Sequence, residues 1–515
     1  MTEIFWGFIL RFLQALTSAG PTILVGLIVA GVLEKLCGYE QTRRVFGGKG
    51  VKSLIIAWAW GMLLPVCSVG VIPILRVMRR SGLSGGTILA FALSAPIFNP
   101  ISLLYGLTLS RPFVIVAFAA CSLVVVTSVG LLWDWWFPDQ QQLREPEATP
   151  APGLKRMAAV GMTALRELTG PSLVFILIGL GCSALLAAIL PHGSLQRSMN
   201  ADNPWAPVTM LGVSIPIYAT PMLAMSQLGS MFQHGNSTGA SLVLLVFGTG
   251  LSVGTLAWIT TNYGWARSAV WLALMSSSVL LLAYIVDKPL YPSDVEAADH
   301  THAFDIYTSP FTGALVDPVD EMRMRLINSI QPYEWRVVYL LAGLLAVGLV
   351  LRRFNRAGAI DRWLQQQPET SGKSLDVAIP APVLGGIAIV ALIGFSIAGC
   401  YIYYPPPSVV FEELEQVRVG AIYAARHGEV RQAEHHIALW DEWSRKLEVG
   451  VYLRTFAVRD FQAMKGRILR EKLELLRHEI EDGDRAAVDA MLREVQQSQS
   501  RWQQAFTPTT AAQRS

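Results

Sequence analysis

The sequence predicts an all-α polytopic membrane protein. Its predicted form is two inverted repeats, each with a broken re-entrant hairpin, about eight full spans in all, and a C-terminal extramembrane helical bundle. Three observations lead there. The chain is 52% hydrophobic and only 15% charged, with a mean hydropathy of +0.41, where a soluble domain carries about a quarter charged residues. The apolar residues lie in long runs. Glycine and proline interrupt those runs at matching places in two halves of the chain.

The runs come first. Residues 12–34, 53–75, 84–110, 112–133, 168–191, 205–233, 238–261, 268–286, 337–351 and 383–404 are almost free of charge. About 20 apolar residues cross a hydrocarbon core of ~30 Å. The N-terminus does not read as a cleavable signal, because Glu3 stands where a basic segment is needed and the apolar run continues. The five cysteines lie in or beside apolar runs with no CxxC pair, which argues against a disulfide framework or a zinc ribbon.

Charge gives the orientation. Lys35, Arg43, Arg44, Lys49 and Lys52, then Arg76, Arg79 and Arg80, then Lys155, Arg156 and Arg166, and finally Arg352, Arg353, Arg356 and Arg362 fall between runs. The positive-inside rule places all of them in the cytoplasm. The acidic stretch 287–334 is then outside. Residues 51–80 are basic at both ends and broken at Pro65 and Pro73 around Cys67 and Ser68. Proline removes a helical hydrogen bond, so this segment reads as a re-entrant hairpin dipping in from the cytoplasm. The alternative is one kinked span, which would put three arginines outside.

The second half repeats the pattern. Gly20-Pro21-Thr22 returns as Gly170-Pro171-Ser172, Pro65 as Pro216, the small-polar loop Ser81–Gly85 as His234–Gly239, and Ser94-Ala95-Pro96 as Phe247–Gly250. An amphipathic segment precedes each half, at 2–17 and 153–168. Three crossings in the first repeat make the second start from the opposite face, and its loop 229–240 has no Lys or Arg. Interrupted segments at corresponding positions of two halves point to a transporter's binding site.

The predicted organisation is a first permease repeat at 1–137, a linker at 138–154 and a second repeat at 155–287. An extracytoplasmic acidic and histidine-bearing loop follows at 288–335, two further spans at 336–404, a helical bundle at 405–507 and a disordered tail at 508–515. The bundle reading rests on charged, helix-forming sequence with breaks near Gly428, Gly450 and Gly483. Its periodic apolar positions include Val451, Phe456, Phe461, Ile468, Leu469, Leu475 and Leu476.

No Asp, Glu, Lys or Arg falls in mid-run. Glu34, Arg111 and Asp134 lie near run ends, where anchoring at the interface explains them. The polar groups left at depth gather at the breaks: Cys67, Ser68, Ser94, Asn99, Tyr218, Thr220, Ser226, Gln227, Thr249 and Ser252. Of these, Cys67, Ser68, Ser94, Asn99, Tyr218, Thr220, Gln227 and Thr249 are the candidate substrate pathway. Half-helix ends can hold ions or polar solutes without charged side chains, although Ser and Thr also cap broken helices. Cys67 is a candidate soft-metal ligand or a small buried hydrophobe. In the outer loop, Asp299, His300, His302 and Asp305 are candidate metal ligands or part of a solvated acidic loop. Glu434, His435 and His436 point to different sides of one helix and read as surface.

At Leu64-Pro65-Val66-Cys67-Ser68-Val69-Gly70-Val71-Ile72-Pro73, then Arg79-Arg80-Ser81-Gly82, Ala95-Pro96 and Asn99-Pro100, the chain resembles the predicted permease family of the organoarsenical efflux permeases (ArsP/YraQ type). The resemblance covers residues 1–290. It implies a permease fold and an efflux role, with the substrate left open. The family motif commonly reads Cys-Ser-Cys-Gly at the turn, and here Val69 replaces the second cysteine.

The functional expectation is a cytoplasmic-membrane permease exporting a small solute or a metal or metalloid species by alternating access. Its partners are the lipid bilayer and that solute, with a possible protein partner for residues 408–507 and no nucleic acid. A membrane sensor or assembly factor acting through the bundle is the alternative, and a channel is a third possibility. No Walker A, nucleophile elbow, HExxH or Rossmann fingerprint is present, so neither an enzyme nor a cofactor is expected.

Overall fold

The computed structural model describes residues 2–109, 112–138, 154–291, 304–311, 318–355, 359–365 and 380–507. The predicted linker, the tail, Arg111, Asp299, His300 and His302 lie outside the described residues, wholly or in all but the linker's ends. Every regular element described is a helix, and one isolated bridge pairs Asn200 with Asn236.

The first half begins with α1 (Thr2–Val32). A π-helical turn at Leu33–Cys37 carries it into α2 (Gly38–Phe46). Then come α3 (Val51–Leu63), α4 (Ile72–Arg80), α5 (Gly85–Ile97), α6 (Pro100–Leu109) and α7 (Pro112–Trp136). The second half holds α8 (Leu154–Leu168), α9 (Pro171–Ile189), α10 (Ala206–Ser214) and α11 (Pro221–Gln233). It continues with α12 (Thr238–Val243) and a π-helical stretch at Leu244–Thr249, then α13 (Val253–Tyr263) and α14 (Trp265–Leu290).

Among the described residues six helices are long and apolar enough to cross a membrane, or eight if two bent pairs each count as one span. The bent pairs are α5 with α6, at 52°, and α12 with α13, at 62°. The 13 residues of α3 reach about 20 Å, too short for a bilayer core.

The two halves use one local device. Ser84 caps α5, and its hydroxyl donates to Asp134 at 2.9 Å while Gly86 N donates to the same carboxylate at 2.7 Å. Ser237 caps α12, donates to Asp287 at 2.8 Å, and Gly239 N joins it at 2.8 Å. All three positions are displaced by 153 residues, from 84, 86 and 134 to 237, 239 and 287. Asp134 therefore holds the start of α5. The halves differ at their start. Pro171 opens α9, where its missing N–H costs nothing, whereas Pro21 lies inside a continuous α1. The expected amphipathic segment 2–17 is the first part of that same helix.

After the halves come a short 3-10 turn at Asp305–Tyr307, α15 (Pro318–Ser329), α16 (Pro332–Phe354), α17 (Ala359–Gln365) and α18 (Ala381–Tyr403). The chain divides into two compact units, residues 1–106 with 112–396, and 107–111 with 397–515. In the first, α1 and α9 run antiparallel: Gly7 lies by Ala188, and Glu34 joins a cluster that includes Glu167 and Ser172 just before and at the start of α9.

In the second unit α19 (Pro407–His427), α20 (Val430–Thr455), α21 (Asp460–Asp482) and α22 (Arg485–Phe506) enclose one core around Leu414, Trp440, Leu469, Leu476 and Trp502. Left-handed Gly428 and Gly483 end α19 and α21, since only glycine takes positive φ without strain. The predicted break at Gly450 is absent. That residue is buried inside α20 against Pro405 O, and the chain turns instead at Phe456. Phe456, Phe461 and Leu475, expected in the core, are exposed.

Candidate functional site

Four interruptions of helical backbone come together in the first unit. The first joins α3 to α4 through Leu64–Val71. Its turn is held by Cys67, whose Sγ accepts from Thr22 Oγ1 at 2.8 Å and from Gly70 N at 3.3 Å, while Cys67 O accepts from Val71 N at 2.9 Å. Gly70 is required here, because a Cβ would sit 2.7 Å from Thr22 O. The second break follows α5. Asn99 Oδ1 accepts from Ser102 N at 2.7 Å, and Ser102 Oγ accepts from Asn99 N at 3.0 Å. That closed pair starts α6 and places the bend three residues beyond Pro96.

The third break joins α10 to α11. Tyr218 N donates to Ser183 Oγ at 2.8 Å, Ala219 N donates to Gly248 O at 2.9 Å, and Thr220 caps α11 by accepting from Leu223 N at 3.3 Å. The fourth follows the π-helical stretch that ends at Thr249. Ser252 caps α13 by accepting from Thr255 N at 3.2 Å. Ser252 and Thr255 stand 153 residues after Asn99 and Ser102, so the fourth break pairs with the second at those residues. A π-helical turn is rare and concentrates at functional places.

Contacts across the breaks tie them into one centre. Thr255 Oγ1 donates to Ser68 O. Gly61 lies against Ser94 Oγ, and Gly250 against Ile97 and Leu93. The Tyr218 hydroxyl lies next to the Cys67 thiol and the Thr22 hydroxyl, with good hydrogen-bond geometry to neither. Ser68 Oγ, Tyr218 Oη, Thr249 Oγ1 and Gln227 Nε2 are buried with no hydrogen-bond partner among the described residues. An unpaired buried polar group costs about 1–3 kcal/mol, so the hydroxyls of Ser68, Tyr218 and Thr249 at the breaks are free to bind a polar solute.

Most of the residues chosen from sequence belong to this constellation. Cys67, Ser68, Tyr218 and Thr249 supply polar atoms, Asn99 and Thr220 shape the helix starts, and Ser94 backs the first turn with its hydroxyl turned to Phe91 O at 3.4 Å. Gln227 lies further along α11 and binds Tyr307 Oη at 2.5 Å. Of the proposed outer metal set only Asp305 lies among the described residues; it is 3.9 Å from His192, and its carbonyl oxygen accepts from Arg11 Nη2 at 2.6 Å. Among the described residues no three metal-ligating side chains form a group. A cleft of about 280 Å³ between α8 and α16, lined in part by Arg166, Thr169, Arg352 and Asn355, shares no residue with the four breaks.

In the first turn of α3, Ser53 Oγ lies 2.8 Å from Thr87 Oγ1 in the first turn of α5. In the second half the segment ahead of α10 meets the loop after α11, where Ser237 N donates to Met199 O at 2.9 Å and Ala201 N to Gly235 O at 3.4 Å.

The sequence alone did not reveal a charged cluster around Arg76 and Arg80 of α4. Glu167 accepts from Arg76 at 2.7 Å, from Arg80 at 3.3 Å and from Ser172 at 2.5 Å; Glu34 accepts from Arg80 at 3.0 Å and lies 3.2 Å from Lys35. Both carboxylates are buried. Glu34 is thus part of a buried network that joins the two halves. A signal was present, since Arg76 and Arg80 lie one turn apart on α4, but their partner is 91 residues away.

A family described as a predicted permease matches residues 5–288. The UPF0718 protein YcgR of Bacillus subtilis (strain 168) is 24% identical over 283 residues, covering 53% of this chain and 93% of its own length. No solved structure matches. The matched region ends within α14, so it contains all four breaks and both Ser–Asp clasps. The chain belongs to the predicted permease family and is a multi-pass membrane protein of the transporter class.

Proposed function

We propose that this permease exports a small polar solute, neutral metal or metalloid species included, by alternating access through an uncharged site at the four breaks. One observation carries the reading. The breaks at Leu64–Val71 and before Pro221 meet at a centre holding the unpaired hydroxyls of Ser68, Tyr218 and Thr249 beside the Cys67 thiol, which supports a pathway between two re-entrant hairpins. The basic residues at the open end of the first hairpin favour the cytoplasmic face. The second hairpin opens beside a loop without Lys or Arg, which supports the opposite face. The antiparallel course of α1 and α9 supports an inverted relation of the halves. On this reading the tail bundle is extracytoplasmic.

Val69 is buried and packs against Gly179, so the turn offers one thiol among hydroxyls. Such a donor set fits a hydrogen-bonding solute or a species held through a single sulfur better than a cation that needs several thiolates.

The test is a sensitivity profile of a deletion strain across metals, metalloids and organic solutes. It is complemented with wild type, Cys67→Ser, Tyr218→Phe and Thr249→Val, and followed by flux in proteoliposomes for the responding solute. Loss of saturable flux in folded Cys67→Ser or Tyr218→Phe protein is expected. Unchanged flux in all three variants overturns the site, and flux that never saturates makes the protein a channel.

A further inference from the structure

We infer that the turn between α20 and α21 is a membrane-interface anchor that seats the C-terminal bundle on the phospholipid surface of the bilayer crossed by α18. The argument starts from depth. The last turns of α18, from Ile397 onward, belong to the same compact unit as the bundle. The apolar stretch of α18 ends at Tyr403, and Tyr401, Tyr403 and Tyr404 make the aromatic belt typical of a membrane boundary.

Helix α20 runs back towards that boundary. Gly450 lies against Pro405 O; one turn later Arg454 donates to Tyr404 O at 2.8 Å and to Tyr401 O at 3.4 Å, with its guanidinium 5.6 Å from the Tyr401 ring. Lys446, one turn before Gly450, lies 4.6 Å from the Tyr403 ring, so the last turns of α20 run beside residues 401–405. The end of α20 is therefore level with the last turn of the span.

The next residue but one is Phe456. It is 80% exposed and takes φ +56°, and it is the non-glycine residue in that region among those described. A left-handed phenylalanine is an uncommon and costly conformation. Here it ends α20 and leaves the ring uncovered. Phe461 and Met464, in the first turns of α21, are 56% and 43% exposed. Around them stand Arg454, Arg459, Lys465 and Arg467 against one acid, Asp460. Exposed aromatics among bases, held at the depth of a tyrosine belt, match the two layers of a phospholipid interface: acyl–glycerol boundary for the rings, phosphate for the cations. At the opposite end of the bundle, where Gly428 and Gly483 make the turns, exposed Tyr423 and the bases Arg426, Arg431 and Arg485 stand among the acids Glu429, Glu481, Asp482 and Asp484, a balance that does not favour an anionic surface.

The experiment uses the full chain in nanodiscs containing anionic phospholipid. Phe456→Cys carries a nitroxide, Glu429→Cys at the far end of the bundle is the reference, and labelled wild type accounts for native thiols. Collision with membrane-soluble oxygen should exceed collision with water-soluble nickel chelate at 456, and the order should reverse at 429. Hydrogen exchange of the unlabelled wild type in the same nanodiscs, read over residues 452–466 with and without anionic lipid, gives a second measurement, and slower exchange with lipid is expected. A nickel-accessible label at 456 with exchange indifferent to lipid overturns the inference. Dipolar broadening between labels at 456 also overturns it, because a second copy of the chain would then cover the turn.

Discussion

Tyr307 donates a hydrogen bond to the side-chain oxygen of Gln227 at 2.5 Å, joining a segment beyond the family-matched region to the third broken helix. Tyr307 is buried together with Phe304 and Phe311, and Arg11 fixes the segment through Asp305 O and Thr308 O at 2.6 and 2.8 Å. Burial holds the Tyr307 phenol well above the usual tyrosine range, against the opposing effect of the Gln227 bond, so it stays a neutral donor. Tyr307→Phe leaves the Gln227 amide without this partner and should cost about 1–2 kcal/mol. Thermal unfolding in detergent measures it, and an unchanged midpoint contradicts the assignment.

The two Ser–Asp clasps are predicted to be equivalent. Asp134→Asn and Asp287→Asn each weaken two hydrogen bonds to a carboxylate, at about 1.5–3 kcal/mol per bond to a charged group. The clasps share no partner, so the double variant should show the sum of the two losses. Denaturant unfolding of the three variants checks the sum, and a strong departure from additivity refutes their independence.

The charge cluster at Glu167 makes a sharper prediction. Glu167→Gln leaves Arg76 and Arg80 facing each other with one carboxylate fewer, and breaking a buried pair costs about 3–5 kcal/mol. Because the two arginines keep 20% and 26% of their side-chain surface exposed, solvent reduces that to about 2–3 kcal/mol. Arg76→Met with Glu167→Met should recover a large part of the loss, as replacing both partners removes the stranded charge. A double variant as weak as the single would sink this account.

Close backbone contact gives a fourth prediction. A Cβ on Gly26 would overlap Gly70 O, and one on Gly254 would overlap Phe175 O. Gly26→Ala and Gly254→Ala should each destabilise by about 1–3 kcal/mol through overpacking. Gly181→Ala meets nothing within 4 Å and serves as the control. Melting temperatures of the three proteins, measured side by side, decide it.

Much of the centre was legible in the sequence because breaks in membrane helices have a local cause. Pro65, Pro216 and the Gly–Ser–Asn clusters interrupt hydrogen bonding wherever they stand, so Cys67, Ser68, Tyr218 and Thr249 could be placed at depth. At the second break Pro96 is tolerated near the helix end, and the stop is made by the Asn99–Ser102 pair, one of whose members was already picked from the sequence. In the bundle, Phe456 and Phe461 looked like core by periodicity. Nothing local distinguishes an apolar residue facing a core from one left uncovered.

The sequence by itself determined the class of this protein and the polar residues near each break, since length, hydropathy and proline act over a few residues. Only the tertiary structure decided what those residues meet. It brought Thr255 to Ser68 across 187 residues, Arg76 to Glu167 across 91, and Tyr307 to Gln227 across 80. Such pairings depend on how helices pack, and packing is a sum over many contacts that no single segment of the chain encodes.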